Sequence, residues 1–340
     1  MVKFTVVLSF LLLANADAFV PSTLKNRQVC RFSESSKSAL DALTERQMQF
    51  WEDVGDGLND VETVFSEDGL NIERIRAFAL SAQGKTSAPT RYAPGHKPSE
   101  EHVEGLTAKP FWNSRDEPDK FPWAEKLENN SHIVIQELQE KLDREAQEQS
   151  LFASDSAWQN NVMGKGWSAF RLQRLGVWNV ENCKEFPKTT ELLRSLNIPF
   201  AVRGVCFACQ ASGSGVQPHS DGRNFILTSH LGLKIPDGCW MKSGDEEQTW
   251  QEGKLTTLDT SFEHSTGNPT DDDRHVLIID YWHPDLTIAE RAALEFVYDL
   301  RNKFESGNIP FRKPRALMQE EEGQGLAGIF GSLFGGGDKK

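Results

Sequence analysis

The centre of the chain holds two apolar runs, FAVRGVCFAC at residues 200–209 and FILTSHLGL at residues 225–233. Two further runs of this kind follow at residues 254–258 and 275–282, and segments rich in Gly, Pro and Asp lie between them. Short apolar segments separated by turn-forming residues are typical of strands in a sandwich or a barrel. We therefore expect a mainly β fold in this part of the chain.

Helical patterns flank this β region on both sides. Residues 41–84 repeat apolar positions at spacings of three, four and seven, and residues 133–142 return to that pattern. After the last apolar run, Thr287 and Glu290 have the spacing of a capping box and begin a predicted helix. Residues 84–122 are rich in Pro, Gly, Ser and charge, which indicates an irregular connection. The β region is thus predicted to carry flanking helices.

The composition excludes several classes of function. The 340 residues include 50 acidic and 37 basic side chains, for a formal net charge of −13. An acidic chain without a basic stripe argues against a nucleic-acid partner. Five cysteines are too few for a disulfide-dense scaffold, and no apolar run beyond the N-terminus approaches the ~18–20 residues that span a bilayer. We expect a globular protein with no nucleic-acid partner and no transmembrane segment in its mature chain.

The first 40 residues have the composition of targeting segments. A basic residue, a short apolar run and the small-residue pattern Ala14-Asn15-Ala16 predict a signal peptide at residues 1–18. Residues 19–40 are basic, Ser-rich and poor in acids, as in a transit peptide. The two in tandem resemble the bipartite presequences of algae with complex plastids, so we predict a plastid (chloroplast) location. The alternative is the secretory lumen, or secretion with a propeptide.

At the other end, residues 313–340 are acidic and then Gly-rich, with Phe and Leu among the glycines. This composition favours a disordered tail over a weak amphipathic or partner-docking segment. Between the targeting segment and the β region, residues 41–104 are assigned to a helical N-terminal region and its linker.

One constellation in the β region points to metal chemistry. The stretch QPHSD at residues 217–221 places His219 and Asp221 two residues apart, and on a strand such positions face the same side. His264, from a distant strand, would complete a set of two histidines and one carboxylate. This ligand set leaves open positions and is typical of non-haem Fe(II) oxygenases, where a 2-oxo acid and O₂ bind.

Arg274 follows His264 by ten residues and begins an apolar run. A buried guanidinium there would bind the carboxylate of a 2-oxo acid through charge-assisted hydrogen bonds. Other interpretations stay open: His219 and Asp221 as turn residues, His264 as a core histidine, and zinc in a hydrolase instead of iron. Arg274 disfavours zinc because a hydrolase does not need it.

A series of motifs runs through the same region in order. They are GLTAKPFW at 105–112, NCK at 182–184, PKT at 187–189, PH at 218–219, HLGL at 230–233, WQEGK at 250–254, DTSFEH at 259–264 and WHPDL at 282–286. Through these motifs, residues 105–312 resemble the aspartyl/asparaginyl β-hydroxylase family of oxygenases. The resemblance implies a double-stranded β-helix core, jelly-roll or cupin-like, with a helical N-terminal segment.

The resemblance also implies roles for individual residues. His219 and His264 would hold Fe(II), and Asp221 stands where animal members of the family have a glycine. The contacts to the cosubstrate 2-oxoglutarate would come from Arg274, His230 and Trp167.

Two departures leave the mode of cosubstrate binding open. Thr228 replaces an arginine that contacts the cosubstrate in the family, and Ala208 replaces a serine near the carboxylate site. The metal ligands match the family pattern more closely than these cosubstrate contacts do.

We therefore predict a 2-oxoglutarate-dependent dioxygenase that hydroxylates an unactivated C–H bond, with succinate and CO₂ as coproducts. Its substrate would be a peptide side chain of the Asp or Asn type, another small molecule or a lipid. The alternatives are a catalytically silent β-helix binding module, in which Thr228 and Ala208 mark lost cosubstrate binding, and a zinc hydrolase.

Overall fold

The computed structural model describes residues 34–86, 95–98, 101–148 and 166–318. The predicted signal peptide, most of the predicted transit segment and most of the predicted tail lie outside these ranges. Across the described part of the chain, none of the helices combines the length and apolarity that crossing a membrane requires.

Helices lie on both sides of the β region along the chain. Their bounds are α1 Glu34–Phe65, α2 Glu73–Ala82, α3 Ala124–Asn129, α4 Ser131–Glu148, α5 Val180–Glu185, α6 Pro187–Ser195 and α7 Ile288–Glu305. The stretch predicted as helical at residues 41–84 contains most of α1, which begins earlier at Glu34, and all of α2. A break separates the two helices at Gly69, whose φ of 69° glycine adopts without strain. The capping box predicted at the start of α7 is present, with both of its hydrogen bonds.

The strands form two antiparallel sheets. Their bounds are β1 Phe111–Trp112, β2 Trp167–Arg174, β3 Val177–Trp178, β4 Phe200–Gln210, β5 Ser214–His219, β6 Ile226–Lys234, β7 Trp240–Ser243, β8 Glu246–Gln248, β9 Leu255–Asp259, β10 His264–Asn268 and β11 Arg274–Trp282. The larger sheet has the order β1-β9-β6-β11-β4-β2-β3, and the smaller has the order β5-β10-β7-β8.

The chain alternates between the two sheets from β4 onward. The strands β4, β6, β9 and β11 lie in the larger sheet, whereas β5, β7, β8 and β10 lie in the smaller one. This alternation makes a double-stranded β-helix of the jelly-roll type. The predicted fold class, mainly β with flanking helices, is confirmed.

The larger sheet is buried on both faces. Trp167, Ala208 and Val276 of this sheet pack between the sheets against Val216 and Met241 of the smaller one. The opposite face packs in a second cluster with side chains of α3, α4 and α6. Because both faces are covered, the central strands read as nearly continuous apolar runs, and this is why the sequence predicted them.

The N-terminal helices pack with the C-terminal one. Phe50 and Val54 of α1 and Phe78 of α2 share a cluster with Leu294 and Val297 of α7. The helical segment that precedes the barrel in sequence is therefore packed together with the helix that follows it.

The smaller sheet consists of β5, β7, β8 and β10, and none of these four strands is an apolar run of the kind that predicted the larger sheet. They are short and rich in polar residues and glycine, and β8 is exposed along its whole length. Pairing with neighbouring strands stabilises such segments more than their own β propensity does.

Candidate metal centre

The two candidate histidine ligands lie opposite each other in the smaller sheet. His219 is the last residue of β5 and His264 the first residue of β10, and these antiparallel strands pair the two residues directly. Their ring centroids are 4.2 Å apart. The sheet register thus brings together two side chains that are distant in sequence.

Asp221 joins the histidines from the loop after β5. Its Oδ1 lies 3.7 Å from Nε2 of His219, and the ligand atoms of Asp221, His219 and His264 all lie within 4.8 Å of one another. Among the described residues, this is the group of three His, Cys, Asp or Glu side chains that could hold a metal ion. The three residues that the sequence singled out as ligands are therefore close together in the fold.

The strand alternation invoked for Asp221 is not what places it, because β5 ends at His219. The backbone N–H of Asp221 donates instead to the carbonyl of Thr260 at 2.9 Å. The hydroxyl of Ser220 is bonded to the carbonyl of Ser261 at 2.8 Å. These contacts hold the loop on the turn that precedes His264.

Both histidines have a fixed tautomer. Nδ1 of His219 lies 2.8 Å from the carbonyl oxygen of Gln217, and Nδ1 of His264 lies 2.9 Å from that of Phe262. A carbonyl only accepts, so in each ring Nδ1 carries the proton and Nε2 keeps its lone pair for a metal. Burial lowers the pKa of His264 to about 4, which keeps this imidazole neutral at physiological pH.

Arg203 holds Asp221 in its ionised form. Burial alone would raise the pKa of Asp221, but the Arg203 guanidinium donates to Oδ2 and lowers this pKa well below its ordinary value. Arg203 is also paired with Asp280, at 3.0 Å from Nε to Oδ2 and 3.1 Å from Nη2 to Oδ1. Asp221 is thus a buried carboxylate whose charge is retained, as a metal ligand requires.

These donors fit Fe(II). Two neutral imidazole nitrogens and one carboxylate oxygen form the ligand set of non-haem iron oxygenases, with open positions for further ligands. The same donors also suit zinc in a catalytic site, so the ligand set by itself does not separate the two metals.

Arg274 lies at the first position of β11 and is 2% exposed. Its guanidinium carbon lies 4.3 Å from the centre of the Trp250 ring, and none of the residues that the structure describes forms a hydrogen bond with its Nε or Nη1. Burial lowers its pKa to about 10, so it is protonated at neutral pH. A buried cation with unpartnered donors is suited to receive an anion.

The other two predicted cosubstrate contacts lie on the same sheet. His230 of β6 accepts a hydrogen bond at Nδ1 from Nε1 of Trp250, at 3.2 Å. Burial lowers the pKa of His230 well below its ordinary value, so this ring is neutral and its Nε2 carries the proton. Trp167 of β2 lies opposite Gln210 of β4 in the strand register, and Gln210 lies opposite Arg274 of β11.

The two departures from the family pattern have different surroundings. Thr228 donates from its hydroxyl to Oδ1 of Asp280 at 2.5 Å and accepts from Arg203 at 3.1 Å. Ala208 is buried in the cluster between the sheets. Thr228 therefore belongs to the network of Arg203, whereas Ala208 contributes only packing.

Three residues that contact the candidate site were not predicted from the sequence: Arg203, Asp280 and Trp250. Arg203 and Asp280 are charged residues inside the apolar runs that became β4 and β11. A charge in a strand that is buried on both faces needs a partner, and this was the available signal. Trp250 lies in one of the motifs, but nothing in its sequence neighbourhood shows that it contacts both Arg274 and His230.

Comparison with known sequences finds similarity in this part of the chain. Residues 128–284 match the family model Aspartyl/Asparaginyl beta-hydroxylase. The matched segment contains the three candidate ligands as well as Arg203 and Arg274.

Two curated relatives of this kind show the extent of the similarity. The mouse aspartyl/asparaginyl beta-hydroxylase is 33% identical over 229 residues, which cover 64% of this chain and 30% of that protein. The human aspartate beta-hydroxylase domain-containing protein 2 is 37% identical over 148 residues, which cover 42% of this chain and 40% of that protein. The chain thus spans less than half the length of either relative.

Solved structures resemble the barrel at lower identity. A Pseudomonas putida prolyl-4-hydroxylase has a TM-score of 0.30 and 14% identity, covering 45% of this chain and 86% of that one. A Cupin 2 conserved barrel domain protein from Salinispora arenicola CNS-205 has a TM-score of 0.24 and 15% identity, covering 43% of this chain and 98% of that one.

Proposed function

We propose that this chain is an Fe(II)- and 2-oxoglutarate-dependent hydroxylase of the aspartyl/asparaginyl beta-hydroxylase family. One observation carries the proposal: the same barrel holds a two-histidine, one-carboxylate ligand set and a buried guanidinium with two unpartnered nitrogens. The match of residues 128–284 to the family supports it.

The ligand residues would hold the metal without rearrangement of their protons. His219 and His264 present Nε2 because their Nδ1 protons are engaged by backbone carbonyls, and Asp221 is ionised. The bound iron would supply the activation of O₂ that couples decarboxylation of 2-oxoglutarate to substrate hydroxylation, with succinate and CO₂ as coproducts.

Arg274 would anchor 2-oxoglutarate by one of its carboxylates. Its two unpartnered nitrogens supply charge-assisted hydrogen bonds, and the Trp250 ring covers one face of the guanidinium. His230 is a neutral donor at Nε2 because Trp250 occupies its Nδ1. Trp250 therefore orients two of the proposed cosubstrate contacts, and it also makes the region around them apolar.

The proposed substrate is an Asp or Asn side chain in a peptide. The names of the curated relatives support this class, although the chain spans only 30% of the mouse hydroxylase. A small molecule or a lipid is the alternative substrate, and a screen of each class with the active enzyme separates them.

The test is the turnover of 2-oxoglutarate to succinate by the full chain with Fe(II) and ascorbate. We expect succinate formation that is lost in His219→Ala. We expect Arg274→Met to raise the KM for 2-oxoglutarate by about 100-fold or more, because two charged hydrogen bonds contribute about 1.5–3 kcal/mol each. Arg194→Met is the matched control, since Arg194 is an exposed arginine that stacks on Trp178 away from the site.

Two results would contradict the proposal. Iron-loaded protein that neither binds 2-oxoglutarate nor forms succinate would indicate a silent binding module. Zinc retained through purification without added metal, together with no succinate formation, would favour the zinc hydrolase.

A further inference from the structure

Arg203 connects the candidate metal centre to the larger sheet. It lies near the start of β4, and its Nη1 donates to Oδ2 of Asp221. Its Nε and Nη2 face the carboxylate of Asp280 on β11. The role of Arg203 deepens the proposed function and rests on it, since it concerns the ligand Asp221.

The two carboxylate oxygens of Asp221 face different partners. Oδ2 accepts from Arg203, whereas Oδ1 lies 3.7 Å from Nε2 of His219. That nitrogen is the one that the Gln217 carbonyl leaves available for a metal. One oxygen of Asp221 is thus committed to the arginine, and the other is directed towards the metal position.

Arg203 is itself fixed from several elements. Its Nη2 lies 3.1 Å from the hydroxyl of Thr228, 3.3 Å from that of Thr260 and 3.1 Å from Oδ1 of Asp280. Thr228 donates to the same oxygen of Asp280 at 2.5 Å. A guanidinium held by this many groups cannot follow the Asp221 carboxylate if that carboxylate rotates.

The backbone next to Arg203 is irregular. Gly204 has a φ of 69°, and a Cβ at this position would lie 2.3 Å from the carbonyl oxygen of Gln173. The register between β4 and β11 also shifts here, because Ile279 pairs with Val205 and Tyr281 with Phe200. The extra residues of β4, which include Arg203, therefore lie opposite Asp280, and irregularities of this kind bend a strand and re-aim its side chains.

We propose that Arg203 is a positioning residue that holds Asp221 as a one-oxygen metal ligand. A carboxylate with both oxygens free can occupy two metal positions. With one oxygen held by Arg203, Asp221 occupies a single position, so that a bidentate 2-oxo acid and O₂ both find room.

The test counts the waters on Mn(II) bound to the full chain, from the relaxation of water protons and without 2-oxoglutarate. We expect about three waters in the wild type, since three protein ligands leave about half of six positions open. In Arg203→Met we expect about two, because the freed Oδ2 takes a second position, whereas Asp221→Ala gains a water.

Two further variants keep the test decisive. Asp280→Asn loosens Arg203 without touching Asp221 and should change the water count in the same direction, even where Arg203→Met fails to fold. Arg171→Met is the matched control, because Arg171 donates to the carbonyl of Arg203 from the neighbouring strand and should leave the count unchanged. A wild-type count in both folded Arg203→Met and Asp280→Asn would overturn the inference, as would a wild-type count in Asp221→Ala.

The readout separates this inference from the proposed function. The water count is measured without cosubstrate or turnover, so Mn(II) binding with the expected counts but no succinate formation would contradict only the proposed function. Succinate formation together with an unchanged count in the Arg203 and Asp280 variants would contradict only the role of Arg203.

Discussion

Two arginines of the larger sheet have opposite surroundings. Arg203 on β4 is paired with the carboxylates of Asp221 and Asp280, and although burial opposes it, these charges raise its pKa. Within the described part of the chain, Arg274 on β11 has no carboxylate partner and its Nε and Nη1 make no hydrogen bond, and burial lowers its pKa to about 10. Among the described residues, carboxylates thus surround the arginine at one position and are missing at the other.

The difference indicates separate roles. An ionic group that is paired with buried carboxylates of the same chain stabilises the fold, and its removal leaves those buried carboxylates unpaired. A buried guanidinium whose nitrogens lack hydrogen-bond partners costs free energy in the resting protein, and such groups need an explanation. A ligand that arrives from outside supplies that explanation for Arg274, whereas Arg203 already has its anions.

The largest expected effect distinguishes the two arginines by stability. Arg203→Met should lower the free energy of unfolding by about 3–5 kcal/mol, because it leaves Asp221 and Asp280 as buried unpaired charges. Arg274→Met should lower the free energy of unfolding by less than about 1 kcal/mol or raise it, because it removes a buried charge that no carboxylate of the described residues pairs with. Urea unfolding of the metal-free proteins measures both.

The double variant Arg203→Met/Asp280→Asn sharpens this comparison. It removes one of the two orphaned charges and should recover part of the stability that Arg203→Met loses. If Arg203→Met and Arg274→Met lose equal amounts of unfolding free energy, pairing with carboxylates does not distinguish the two arginines.

The sequence predicted one of these arginines and not the other, for a physical reason. Arg274 opens an apolar run ten residues after His264, so a local pattern identified it. Arg203 on β4 is instead defined by its two carboxylate partners. Asp221 follows β5, and Asp280 lies on β11, near the end of the β region. These partners depend on how the strands pair, and the spacing along the chain does not encode that.

Strand pairing also explains which strands could be predicted from the sequence and which could not. The apolar runs of β4, β6 and β11 are covered on both faces and were recognisable by composition alone. The strands that carry His219 and His264 are short and polar, and they form because they pair with each other. The residue types of the metal centre were therefore predictable, whereas the loop geometry that places Asp221 was not.

A smaller effect is expected in how the free energy of unfolding depends on pH, through one buried histidine near each arginine. Burial lowers the pKa of His264, beside Asp221, and of His275, next to Arg274, to about 4 each. Between pH 6.5 and 4 the unfolded chain binds a proton at each residue that the folded chain does not, so stability falls as the pH falls. Each of His264→Asn and His275→Asn should remove up to about 3 kcal/mol of this fall.

Urea unfolding in EDTA at a series of pH values measures these slopes. The two variants should flatten the pH dependence by similar amounts, because the cause is burial at both positions. A variant whose curve runs parallel to that of the wild type from pH 7 to pH 4 would show that its histidine has nearly the same pKa in the folded protein as in the unfolded chain.

The smallest expected effect is that of Trp250, which contacts both Arg274 and His230, on the affinity for 2-oxoglutarate. Trp250→Phe removes the Nε1 donor that fixes the tautomer of His230 but keeps an aromatic ring beside Arg274. We expect the Kd for 2-oxoglutarate, measured calorimetrically on the Mn(II)-loaded protein, to rise about fivefold, since a neutral hydrogen bond contributes about 1 kcal/mol. Trp250→Leu also removes the aromatic face and should weaken binding further, by about 1 kcal/mol. Equal affinities in Trp250→Phe and the wild type would mean that the His230 tautomer does not matter, and Arg274 alone would then account for cosubstrate binding at this end of the sheet.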